Sequence, residues 1–435
     1  MKPVSFVGCA GTGKTTALLD AVRNAARATP LLDGQQLLAI TRMNGARRRI
    51  DARLRVGASV LRYDCRTIDS LAWMIASRWR LRAELLGFPR ASELDFDGTC
   101  RVAAGLLDEP DVAAWLSATY PVVMVDECQD CCDDRLLLVQ RLASATNLFV
   151  AADNFQNLDS LDSSAVTWIR DDTNLQELEK VHRTDRPALL EAAKLLREFK
   201  SLPQGWNTRG NGFSLVSTQN ANPAAKLLVQ QIAWSGGKET VVLSPTGPAS
   251  SPFVAKVLSR AASLPAFVDK NGNAFKTYDV PWEDSAATAV KRLLEAVEKG
   301  ALATTHLPGA TDLVRWMVRQ RRIAGRTSFT NDELRAAAER AVQHHRAHAR
   351  PTRRLRGMTI HQAKNQEFER VVILWPLKVA GKGEHLSRLL YNAVTRAKVS
   401  AVVIVQDLKD RLSEPPFTHS SEAQPEESPE SPPAP

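Results

Sequence analysis

Short apolar runs alternate along the chain with longer stretches whose apolar positions recur at helical spacing. Val4–Val7, Leu37–Thr41, Val122–Val125 and Leu148–Ala152 are runs of this kind. Brief continuous apolar runs bounded by polar residues predict strands buried on both faces, as in a parallel sheet covered by helices. With the helical stretches between them, they predict a first α/β lobe over residues 1–172. A second set, Val241–Ser244, Val371–Trp375 and Ala401–Val405, with helices over Pro187–Lys200 and Pro252–Ala262, predicts a second parallel lobe. That lobe is expected in two parts, 173–280 and 351–412. Between the parts, residues 281–350 carry Ala-, Leu- and Arg-rich helical spacing and predict a small basic helical insertion. No internal repeat is evident.

The first strand leads into Gly8-Cys9-Ala10-Gly11-Thr12-Gly13-Lys14-Thr15-Thr16 and then a helical stretch, Ala17 to Ala28. This is G-x-x-x-x-G-K-T in its strand-to-helix setting, which makes it a specific phosphate-binding signal. Gly8, Gly11 and Gly13 let backbone N–H groups curl around phosphate oxygens, and the helix N-terminus adds the positive end of its dipole. Lys14 is expected to reach the β- and γ-phosphates, and the Thr15 hydroxyl, beside Thr16, to ligate Mg²⁺. A second half of the site follows Val122–Val125, in Asp126-Glu127-Cys128-Gln129-Asp130. A carboxylate at the end of a neighbouring parallel strand suits the Mg²⁺ shell, which assigns Asp126 to the metal. Glu127 suits the general base that polarises the attacking water.

Charge narrows the partner. The 435 residues carry a formal net charge of +9. Ser413–Pro435 hold five Glu, seven Pro and no Lys or Arg, so the remaining chain carries +14. The segment 413–435 cannot bury enough apolar surface to offset ordering and is expected to be a disordered acidic tail. Twelve arginines lie between Arg315 and Arg356 against Asp332, Glu333 and Glu339, a phosphate-binding footprint for nucleic acid. Nothing there specifies base-edge readout, so backbone tracking of a single strand is expected. Cys128, Cys131 and Cys132 are expected as inert thiols rather than a metal cluster, and His344, His345 and His348 as part of a solvated basic face. No apolar run spans a bilayer and no signal-peptide core is present, which predicts a cytoplasmic protein without a membrane.

The Asp126–Asp130 segment resembles the D-E-x-Q-D box of superfamily 1 helicases of the UvrD/Rep/PcrA type, and further boxes follow in the family's order. Ala39–Ala46 is similar to T-F-T-N-K-A-A, Thr67–Leu71 to T-F-H-S-L, and Ala152–Gln156 to G-D-x-x-Q. Leu178–Thr184 resembles L-x-x-N-Y-R-S, Gly357–Phe368 resembles M-T-I-H-x-A-K-G-L-E-F, and Arg388–Lys398 resembles R-L-x-Y-V-A-x-T-R-A. The resemblance implies two RecA-like P-loop lobes with ATP between them. It implies Gln156 as the γ-phosphate sensor, Arg183 and Arg396 as arginine fingers, His182 stacking on the base, and Glu367 contacting the sugar. It also implies nucleic-acid contacts from Thr41, Asn44, Thr67, Thr359 and His361.

Only 54 residues separate Leu71 from Asp126, too few for a full accessory domain, so the resemblance implies a compact form. The function expected is an ATP-dependent helicase or translocase moving 3′→5′ on single-stranded or tailed duplex DNA, with ATP and Mg²⁺ as cofactors. The alternative is a nucleic-acid-stimulated ATPase switch or loading subunit, acting with a protein partner of a complex such as an antiphage system, without productive unwinding.

Overall fold

The computed structural model describes residues 2–42, 44–57, 62–91, 95–157, 164–205, 212–234, 239–264, 267–268, 274–275, 278–348, 354–364, 366–408 and 410–419. The first lobe is built on β1 (Val4–Gly8), β2 (Leu37–Thr41), β3 (Tyr63–Thr67), β4 (Val122–Asp126), β5 (Asn147–Ala152) and β6 (Asn174–Leu178). They form one parallel sheet in the order β3-β2-β4-β5-β1-β6. The second lobe uses β7 (Phe213–Thr218) and β8 (Thr240–Ser244), followed by a separate two-stranded pair, β9 (Phe267–Val268) and β10 (Ala274–Phe275). Its sheet is completed by β11 (Leu355–Thr359), β12 (Phe368–Trp375) and β13 (Ala397–Gln406), all parallel in the order β11-β8-β12-β13-β7.

Both sheets are covered on two faces, as continuous apolar strands require. On the first, α1 (Lys14–Ala28) and α2 (Asn44–Gly57) meet Phe6, Ala39 and Met124. The opposite face, with Leu38, Ile40, Val123 and Val150, packs against α3 (Ile68–Arg78), α4 (Arg80–Leu85), α5 (Phe96–Leu106), α6 (Pro110–Thr119), α7 (Asp133–Ala145) and α8 (Ser164–Asp172). The interval between Leu71 and Asp126 is thus filled by α3 to α6 and their connections, which join the core of the lobe rather than form a separate one. Trp168 belongs to that core. On the second sheet, α9 (Pro187–Arg197) lies on the face opposite α10 (Ala221–Ala233) and α11 (Pro252–Ser263). The insertion comprises α12 (Ala286–Glu298), α13 (Ala310–Ala324) and α14 (Asn331–His348), closed around Leu293, Leu313, Ala338 and Val342. Helix α15 (Gly383–Val394) returns to the α9 face of the second sheet.

Two expected boundaries shift. The first sheet runs past residue 172, because β6 pairs in parallel with β1 from Val4↔Asn174 to Gly8↔Leu178. The chain after β13 does not end its packing at residue 412. Phe417 is fully buried against Trp375, and its carbonyl accepts from Leu202 N at 2.8 Å. Residues 413–419 are therefore part of the second lobe: one aromatic ring outweighs the polar composition around it. The rest of the expected tail, 420–435, lies outside the described residues. His344 also finds a carboxylate, Asp312 Oδ2 on α13, at 2.8 Å from Nδ1. No helix among the described residues is long and apolar enough to cross a membrane.

Candidate active site

The loop from Gly8 to Gly13 turns between β1 and α1 with Gly11 and Gly13 at φ +84° and +85°, a region that favours glycine. Gly11 is needed twice over, since a Cβ there would stand 2.5 Å from Arg183 Cβ. Lys14, the first residue of α1, donates from Nζ to the carbonyls of Gly8 and Cys9, each at 2.8 Å. Thr15 Oγ1 donates to Asp126 Oδ2 at 3.0 Å, joining the P-loop to the end of β4. Burial, then the neighbouring Glu127 charge, pushes the Asp126 carboxyl up to about 6. Glu127 sits at φ +59°, a left-handed conformation uncommon outside glycine, and accepts from Gln129 Nε2 at 2.6 Å. Strained turns of this kind cluster where a side chain must be aimed.

The second lobe supplies the other wall. Arg396 Nη2 donates to Gln156 Oε1 at 3.1 Å, directly linking the second expected finger to the expected γ-phosphate sensor. Arg396 is only 2% exposed, its Nε donates to Asn392 O at 3.0 Å, and no carboxylate pairs with it among the described residues. Burial and then the nearby Arg183 cation pull its guanidinium down to about 10. An anion placed between the two arginines would relieve both effects. Arg183 pairs with Glu367 at 2.8 Å and donates to Thr395 O at 2.7 Å, while its Nε is buried without an acceptor. Lys398 shares Glu367 at 3.1 Å.

These groups line one cleft of about 360 Å³. It contains Gly11, Gly13, Lys14, Thr15, Thr16, Asp126, Glu127, Gln156, His182, Arg183, Glu367 and Arg396. His182 lies across the P-loop, its backbone N–H donating to Gly11 O at 2.7 Å. Gly8 does not line the cleft. Its missing side chain instead admits the Leu178 carbonyl of β6, which a Cβ would approach to 2.4 Å. The residues fit a nucleoside triphosphate with a hard divalent cation: the unsatisfied guanidinium suits phosphate, and the Thr15 and Asp126 oxygens suit Mg²⁺.

A layer of residues that the motifs alone do not single out ties the lobes beneath this cleft. Asp153, fully buried, accepts from Arg197 of the second lobe at 2.9 Å and from Gln156 at 3.0 Å, with Lys14 at 3.5 Å. Burial pushes its carboxyl up, but the Lys14 and Arg197 charges outweigh this and hold it below the usual carboxylate range. Tyr391 Oη accepts from Ala10 N of the P-loop at 2.9 Å. Lys364 pairs with buried Asp130 at 2.6 Å, and Arg388 donates to Asn154 O at 3.0 Å. Asp153 and Asp130 were detectable as parts of their boxes; Arg197 carries no local signal.

The expected nucleic-acid residues are not brought into the cleft. Thr41, Thr67 and Thr359 end β2, β3 and β11. Thr41 and Thr67 are register partners, while β11 is an edge strand of the second sheet. Thr41, expected to meet nucleic acid, is fully buried in this structure. Its place at the end of a central strand, flanked by Thr67 and Asp126, leaves it no open face. Thr67 caps α3, accepting from Ser70 N at 3.2 Å, and Thr359 Oγ1 donates to Gln362 Oε1 at 2.9 Å. His361 is exposed. The Asn44 side chain lies outside the described residues. Of the arginine footprint, Arg319, Arg321, Arg322 and Arg335 are exposed, whereas Arg326 pairs with Glu333 and Arg356 with Glu239 and Glu283. Cys128 and Cys131 are buried and Cys132 is exposed. Burial and the mutual contact raise the Cys131 thiol, the contact being the larger cause.

Comparison with known families matches both walls. Residues 3–205 match an AAA domain, and residues 355–404 match the UvrD-like helicase C-terminal domain. The first match contains Lys14, Asp126, Glu127, Gln156 and Arg183; the second contains Glu367 and Arg396. No curated protein matches the chain.

Proposed function

We propose that this chain, a UvrD/Rep-like superfamily 1 helicase by its two domain matches, moves 3′→5′ along single-stranded DNA and separates duplex, driven by ATP hydrolysis between its lobes. A cytoplasmic setting, with ready access to ATP and DNA, suits this role. The observation that carries the proposal is the hydrogen bond between Arg396 and Gln156 across the cleft that also holds Lys14 and Glu127. Lys14 would bind the β- and γ-phosphates, and Glu127 would take the proton from the attacking water. Arg183 and Arg396 would meet charge as it spreads over the equatorial oxygens. Mg²⁺, held by Thr15 and Asp126, would neutralise phosphate charge when bound. Because the fingers and Lys14 belong to different lobes, nucleotide favours closure, and release of product permits opening.

The test pairs phosphate release, with and without single-stranded DNA, with strand displacement on 3′-tailed and 5′-tailed duplexes. Stimulated turnover with displacement of the 3′-tailed duplex supports the proposal. Stimulation without displacement of either favours the switch, a reading supported by α3 to α6 occupying the interval where an accessory domain would be inserted. Turnover unaffected by Lys14→Ala or Glu127→Gln would refute the assigned site.

A further inference from the structure

Helix α4 of the first lobe turns its largest apolar side chains to water. Leu81 and Leu85 are 64% and 80% exposed, and Leu86 follows them, exposed, at the helix end. Trp73 on the preceding α3 is exposed to a lesser degree, 36%. One turn separates Leu81 from Leu85, so the two share a face. Ala83 lies two positions from each, about 200° around the axis, and is buried in the core. Beyond the helix, the Phe88 ring packs over Gly105 of α5, and the Phe88 N–H donates to Ala83 O at 2.9 Å. Fixed at both points, α4 cannot roll to hide its leucines. None of these side chains lines the nucleotide cleft. Single exposed leucines are ordinary, but neighbouring ones held rigidly on one face mark an interaction surface.

Charge selects the occupant. The stretch from Arg78 to Arg90 holds four exposed arginines, Arg78, Arg80, Arg82 and Arg90, against one carboxylate, Glu84. Arg82 pairs with Glu109 and the Arg78 guanidinium lies over the Trp115 ring, whereas Arg80 and Arg90 have no carboxylate partner among the described residues. A second copy docked through a twofold axis would set these arginines against one another. The segment 420–435 has the complementary sign, but apart from proline its apolar residues are two alanines, which leave the leucines uncovered. Nucleic acid would satisfy the arginines, yet its bases stack on aromatic and guanidinium planes, not on the leucines that dominate this face. We propose that α4 is the docking surface for a different protein, which presents an amphipathic helix with apolar anchors flanked by aspartate or glutamate. Leucines one turn apart form a ridge that the groove of such a helix accepts, and the arginines meet its acidic flanks. A partner seated there leaves the nucleotide cleft open, and the proposal stands whether or not the chain unwinds duplex.

The test is a selection of random displayed peptides of about 16 residues, long enough to form a helix. It is carried out on the full-length chain, with the double variant Leu81→Ser, Leu85→Ser as counter-selection. The peptides expected combine Leu, Ile or Phe at helical spacing with Asp or Glu. Their affinity, read by fluorescence anisotropy, should fall about tenfold in the leucine variant and about threefold in Arg80→Glu, Arg90→Glu. Leu408→Ser removes an exposed leucine from the second lobe and should bind as wild type. Enrichment of basic peptides, of none, or of peptides that bind the leucine variant as tightly as wild type overturns the proposal. Sedimentation velocity and anisotropy of a labelled oligothymidine examine the other occupants. A dimer, or a strand affinity, that is lost in the leucine variant would assign the face to a second copy or to DNA and overturn the proposal. All substituted side chains are exposed, so melting temperatures should stay within a few degrees of wild type. Leu85→Ser alone repeats the comparison if the double variant melts lower.

Discussion

Replacing Arg396 by alanine separates chemistry from binding. The side chain is 2% exposed and holds Gln156 across the lobes at 3.1 Å. If it stabilises charge that develops only in the transition state, its loss should lower kcat by about 10³–10⁵, or about 4–7 kcal/mol of barrier. Stability should change far less. Removing a buried cation without a carboxylate partner relieves desolvation, which offsets the roughly 1–3 kcal/mol of leaving Gln156 Oε1 without a donor. Phosphate release at saturating ATP and single-stranded DNA gives kcat, ATPγS titration gives affinity, and thermal unfolding gives stability. The expected pattern is a collapse of kcat, ATPγS affinity within about tenfold of wild type, and a melting temperature shifted by a few degrees at most. Arg396→Lys should recover little, because a point-like ammonium lacks the planar fork by which Nε reaches Asn392 O while Nη2 reaches Gln156. A kcat within threefold of wild type, or an affinity loss as large as the kcat loss, would refute the assignment.

Three further outcomes are expected. Gly11→Ala must place a methyl group against Arg183 in a backbone region that disfavours it, so turnover should fall and melting should shift by about 1–2 kcal/mol of stability; unchanged kinetics would show that the finger segment yields freely. Phe417→Ala should cost about 3–5 kcal/mol, read by denaturant unfolding, because the ring is fully buried against Trp375; truncation after residue 419 should cost little by comparison. Asp153→Asn should destabilise the chain near pH 7, since a depressed carboxyl contributes fully above its unfolded value of about 3.9 and loses that contribution as pH falls through its lower folded value; acid unfolding should show the gap to wild type closing only below about pH 4.

The strand-to-helix motifs were legible because their chemistry demands particular residues in sequence: glycines where φ is positive, Lys14 at the helix start, Asp126 and Glu127 after an apolar strand. The central strands were legible by their continuous apolar character. Strand β3, Tyr-Asp-Cys-Arg-Thr, carries no such run, and β6 is an exposed edge held by its pairing to β1. Their pattern is supplied by neighbours, not by their own composition. Arg197 was silent, since what gives it a role is a carboxylate 44 positions away and a hydroxyl 194 positions away, and Tyr391, though inside a matched box, takes its role from an amide 381 positions away, which spacing along the chain cannot reveal. The Phe417 anchor failed to register for a different reason: the prolines and glutamates around one ring hold mean apolarity low, yet a single slot beside Trp375 is enough to seat it.

Lys14 has a resting place. Its ammonium is held by the carbonyls of Gly8 and Cys9, with Asp153 nearby. Capturing phosphate is then an exchange of one set of oxygens for another, and departure of product is the same exchange in reverse. A loop that supplies its own acceptors for that ammonium keeps the lysine placed by the fold itself.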